Sequence, residues 1–86
     1  MSIFAIIGWI GTILYITAYF LLVKGHLSAD KSTYHYLNLG GGICLVINAI
    51  NLGDYPGLAV NGIWAALAIW MILKLLFKKE DYQTEE

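Results

Sequence analysis

The stretch Asn51-Leu52-Gly53-Asp54-Tyr55-Pro56-Gly57 decides how this chain is folded. Without it, residues 32–73 would read as a single uncharged apolar run. Asp54 interrupts that run, Gly53 supplies a turn, and Pro56 suits the first turn of a new helix, where a missing N–H costs nothing. Asp54 stands just ahead of that helix, near its positive end. The stretch therefore predicts a tight turn between two helices. Each flank is long enough to cross a bilayer core, which takes about 20 apolar residues.

Upstream, the polar patch Lys24-Gly25-His26-Leu27-Ser28-Ala29-Asp30-Lys31-Ser32 divides the rest of the chain in the same way. No charge lies between Ser2 and Val23. Gly25 is suited to the left-handed end of the first helix, and Asp30 or Ser32 to the N-cap of the second. The spans are expected at 3–23, 32–52 and 56–77, with 78–86 as a charged, solvated tail. The first span does not read as a cleaved leader. It has no basic start, and Tyr15 to Phe20 is bulky where small residues would be needed.

Composition agrees with this reading. Of the 86 residues, 59% are hydrophobic and 13% are charged, against about 25% charged in a soluble domain. The expected fold class is an all-α integral membrane protein, three transmembrane helices in a compact bundle assembling as a homodimer. There is no arginine and the net charge is −1, which leaves no basic footprint for nucleic acid. Cys44 has no internal partner for a disulfide. One thiol with two histidines makes no zinc pattern, and His35 lacks a second histidine at membrane depth for haem. No metal and no cofactor is expected. His26, Ser28 and Asp30 share a loop without the scaffold a hydrolytic triad needs, so no enzyme activity is expected.

With three spans, the first loop and the C-terminus lie on one side. All five lysines (Lys24, Lys31, Lys74, Lys78 and Lys79) fall there. The positive-inside rule then places that side in the cytoplasm and the N-terminus outside, as expected in a bacterial inner membrane.

No Asp, Glu, Lys or Arg is expected in mid-span, which argues against a charged relay or ion filter. The polar groups at depth are neutral. One helical stripe of the first span carries Gly8, Gly11, Thr12, Tyr15, Ala18 and Tyr19. The second has Asn38, Gly41, Gly42, Leu45 and Asn48, and the third has Asn61, Ala65 and Ala68 with Trp64. Small faces let helices pack closely, so Gly8, Gly11, Gly40, Gly41, Gly42 and Gly62 are candidate packing positions. Consecutive glycines weaken a helix by about 1 kcal/mol each relative to alanine. The run Gly40-Gly41-Gly42 therefore points to a kink or a close backbone crossing. Asn61, Asn38 and Asn48, walled by Trp64, Tyr15 and Tyr19, are the candidate solute-binding residues. The same amides are also able to bond between helices.

Two resemblances attach to these residues. The run Gly53-Asp54-Tyr55-Pro56 followed by Asn61 resembles the Asp-x-Pro…Asn pattern of the SemiSWEET half-transporters, in the PQ-loop sugar-carrier superfamily. That resemblance implies a homodimeric carrier in which Asn61 contacts solute. The first-helix Pro-Gln pair of those carriers is absent, since Ile16-Thr17-Ala18-Tyr19 occupies its place. The chain more closely resembles an uncharacterised family of small three-span bacterial membrane proteins. The matching residues are Gly8 and Gly11, Ala18 and Tyr19, Tyr34 and Asn38, Gly40 or Gly41, and Trp64. This resemblance implies fold and topology and no particular reaction. Two expectations follow, a small-solute carrier working as a homodimer and an accessory subunit of a larger membrane complex.

Overall fold

The computed structural model of the chain describes residues 2–84. They form three helices, α1 (Ile3–Val23), α2 (Ser32–Leu52) and α3 (Tyr55–Thr84). At about 1.5 Å per residue, α1 and α2 are each roughly 30 Å long, the thickness of a bilayer core.

The ends of the helices follow from their caps. The Ser2 hydroxyl accepts from the Ala5 N–H at 3.1 Å and starts α1. Gly25 takes φ +82°, and two bonds close the end of α1, from the Gly25 N–H to the Leu22 carbonyl and from the His26 N–H to the Leu21 carbonyl. This is a Schellman cap, and only glycine adopts its left-handed residue without steric cost. Gly53, at φ +67°, ends α2 with the same pair of bonds, to Ile50 and Ala49. One residue later the Asp54 carboxylate accepts from the Gly57 N–H at 3.0 Å and starts α3. The start of α2 differs from expectation. Its N-cap is Lys31, whose ammonium has no acceptor and so makes no side-chain capping bond, while in the loop before it the Ser28 hydroxyl accepts from the Asp30 N–H. α3 also runs past the expected end of the span to Thr84. Residues 85 and 86 of the tail lie outside the described residues.

α2 is the central helix. It packs against both neighbours, whereas among the described residues the backbones of α1 and α3 nowhere come within 8 Å of each other. The bundle is therefore open on one side, which the sequence stripes did not reveal. Its apolar core is small, comprising Ala18, Ala49, Ala68 and Ile72, while large side chains such as Trp9, Ile13, Ile16, Ile43, Ile50 and Ile63 are exposed. A water-soluble domain of this size would bury such residues. α1 and residues 55–78 of α3 are long and apolar enough to cross a membrane. α2 has the length but carries His35, Asn38, Asn48 and Asn51, and it is sheltered on two flanks.

Candidate functional site

The α1–α2 seam is built on glycine. A methyl group on Gly11 would stand 2.8 Å from the Gly41 carbonyl oxygen and 2.8 Å from Cβ of Cys44. One on Gly41 would stand 3.0 Å from the Gly11 carbonyl oxygen. The two backbones thus touch at this crossing, the close approach that the glycine run suggested. Gly8 faces the Asn48 amide at similar range, and Gly42 faces Ala65 of α3. A methyl group on Gly40 would meet the Leu14 side chain at an ordinary 3.5 Å, and one on Gly62 would meet nothing within 4 Å among the described residues.

Above the crossing, toward the lysine-bearing end, Tyr15 replaces glycine on the same α1 stripe. Its ring lies on Gly41, and its hydroxyl on Gly42. Beyond it α1 and α3 enclose a groove of about 480 Å³, lined by Tyr15 and Tyr19 of α1, Tyr34, His35 and Asn38 of α2, and Trp64, Leu67, Ala68, Trp70 and Met71 of α3. The lining is mostly apolar and aromatic, and it contains no Asp, Glu, Lys or Arg. The groove is open along the side where α1 and α3 fail to meet. A second, shallower hollow continues along α1 over Ile16, Phe20 and Val23.

The polar groups in the groove differ in what they are free to do. His35 is 7% exposed, and its Nε2 lies 2.8 Å from the Ala29 carbonyl. A carbonyl only accepts, so Nε2 carries the proton and, in the neutral ring, Nδ1 keeps a lone pair. The bond ties the first loop to the groove, with the Tyr34 ring edge-on to the imidazole at 5.2 Å. The buried Tyr15 hydroxyl has no hydrogen-bond partner among the described residues. Asn38 is half-buried and makes no hydrogen bond among the described residues.

Of the six candidate solute-binding residues, the structure brings together Tyr15, Tyr19, Asn38 and Trp64 in this groove. Asn48 sits instead in the α1–α2 seam against Gly8. Asn61 Nδ2 donates to the Gly57 carbonyl of its own helix at 2.9 Å, and Thr12 likewise bonds the Gly8 carbonyl at 3.0 Å. Tyr34, His35, Trp70 and Met71 belong to the groove without having been proposed for a solute. His35 and Tyr34 were visible as polar residues one turn or less from Asn38, and that spacing was the available signal. At the lysine end, Lys74 lies over the Trp70 ring and Lys24 over the Phe20 ring, each with Nζ at 5.7 Å from the ring centre.

A protein-family model of uncharacterised type matches residues 4–79, nearly the whole chain. The chain belongs to that family. The match carries no tie to the SemiSWEET carriers. No curated protein and no solved structure matches the chain.

Proposed function

We propose that this protein is a three-span membrane protein that works as a homodimeric half-carrier for a small neutral solute. The observation that carries this reading is the gap between α1 and α3, which leaves an aromatic groove open on one side. Three helices of this kind do not surround a path. Two copies related by an axis along the membrane normal place their open sides face to face and enclose one. Tyr15, Tyr19, Asn38 and Trp64 form the walls. The likeness of Gly53-Asp54-Tyr55-Pro56 and Asn61 to the SemiSWEET pattern supports distant kinship and the dimeric arrangement. With its amide bonded to Gly57, Asn61 acts in this reading as a helix-stabilising residue.

In this reading α2 crosses the membrane as well, covered on its polar flank by the dimer. In this reading the first loop and the C-terminus face the cytoplasm and the N-terminus lies outside a bacterial inner membrane, an orientation that the one-sided lysines support through the positive-inside rule. The protein carries out no chemical reaction and its partners are lipid and a second copy of itself. The second reading, an accessory subunit, draws on the exposed faces of Ile and Leu, which suit a larger complex as well as lipid.

The test is transport. Purified dimer reconstituted in vesicles should accumulate at least one member of a panel of neutral solutes, saturably. Failure across the panel, with the protein isolated only as single copies on a larger complex, would transfer the assignment to the accessory reading.

A further inference from the structure

The groove has a chemistry narrower than "small solute". Its walls are aromatic on all three helices, with Tyr19 on α1, Tyr34 on α2 and Trp64 on α3. Flat rings stack on such faces. No charged side chain is among the residues that line it, and the nearby Lys74 ammonium is directed over the outer Trp70 ring, so burying a charged ligand against this lining would cost its hydration. A polyol would bring many hydroxyls into a lining that is mostly apolar, and each unpaired hydroxyl would weigh against binding.

Asn38 supplies the orientation. Its carboxamide offers a carbonyl acceptor beside an N–H₂ donor, in one plane, and neither is used within the described residues. The matching edge on a ligand is an N–H next to a C=O, held in the plane of a ring. Two parallel bonds then form, as between an asparagine and the edge of a nucleobase. Tyr34 lies one helical turn before Asn38 on α2, so a ring bonded edge-on to Asn38 has an aromatic face at hand.

We infer that the groove selects flat, uncharged heterocycles that present a cyclic amide edge, and that Asn38 reads that edge. The inference rests on the groove being the solute site of the proposed carrier, but binding is measured apart from transport.

The experiment is equilibrium dialysis of the purified full-length protein in nanodiscs, with protein-free nanodiscs subtracted, using three probes. These are 2-quinolone, which has the amide edge, N-methyl-2-quinolone, in which the donor is blocked, and naphthalene, which has the ring alone. Methylation removes the N–H bond outright, and the methyl group standing in its place keeps the carboxamide from aligning with the neighbouring C=O, so a preference of at least about tenfold for 2-quinolone over its N-methyl form is expected on the unaltered protein. Asn38→Leu should remove that preference and leave naphthalene binding unchanged. D-glucose in excess should not displace 2-quinolone. Equal binding of 2-quinolone and its N-methyl form to the unaltered protein would overturn the inference. So would a preference that survives in Asn38→Leu, or displacement by glucose. The first comparison needs no variant and stands even if Asn38→Leu misfolds. Binding with the expected preference but no flux in vesicles would sink the carrier and leave this assignment intact. Flux of a polyol without quinolone binding would do the reverse.

Discussion

The two halves of the α1 stripe behave oppositely. Around Gly8 and Gly11 the stripe closes on α2 until backbone meets backbone, whereas one turn further on, at Tyr15 and Tyr19, it walls an open groove. The periodicity is the same in both halves and the side-chain volume is not. Glycine at the crossing brings the helices together. The Tyr15 ring is laid across the glycine surface of α2, with its hydroxyl at Gly42, where α3 contributes Ala65. A small-residue stripe is thus one seam joined to one wall, and the pair Gly41-Gly42 serves both, as crossing point and as the bed of an aromatic ring.

The largest effect should come from breaking the seam. Gly11→Leu drives a side chain into the Gly41 carbonyl and Cys44, where backbone cannot yield, and overpacking of this kind costs about 1–3 kcal/mol or more. Thermal unfolding in mild detergent should show a large loss of stability or no folded protein. Unchanged melting would mean that the α1–α2 crossing is misplaced.

The wall should respond with the opposite sign. The Tyr15 hydroxyl is buried without a partner among the described residues, which costs about 1–3 kcal/mol. Tyr15→Phe should therefore raise the melting temperature of the ligand-free protein. If that variant melts lower, the hydroxyl has a partner in the assembled protein, and Tyr15 belongs to a structural contact.

Asn61→Ala should have the smallest effect. Its amide bonds a carbonyl of its own helix and ties no second helix, and even side-chain hydrogen bonds between membrane helices average only about 0.6 kcal/mol. Stability and solute binding should both stay close to those of the unaltered protein. Abolished binding would restore the role that the SemiSWEET resemblance implies for Asn61.

These contrasts show what could be read from the chain alone. The limits of α1 and α2 were legible, because Lys24, Gly25 and the run Gly53-Asp54 punctuate an otherwise uncharged sequence with residues that cap helices. The glycine crossing was legible for the same local reason. Which helix is central was not, since a stripe at helical spacing marks a face and does not name the neighbour it meets. The asparagines illustrate the same limit. Asn38, Asn48 and Asn61 look alike in sequence, yet one is free in the groove, one packs in the seam and one bonds the preceding turn of its own helix. An amide reaches four residues back along its own helix as readily as across to another, and only the packing decides. The cap of α2 fell on Lys31, between the two expected residues Asp30 and Ser32, because the last extended residue before the helix is set by the backbone and not by the side chain best suited to cap.

The central claim is that the open side between α1 and α3 is where a second copy docks. Single cysteines in a Cys44→Ala background test it directly by disulfide cross-linking in native membranes. Ile16 and Leu67 line the hollows on the open side, and Ile47 is exposed on α2. Ile16→Cys and Leu67→Cys should give covalent dimers in high yield, and Ile47→Cys should remain monomeric. Dimers through Ile47, with none through Ile16 or Leu67, would contradict the account.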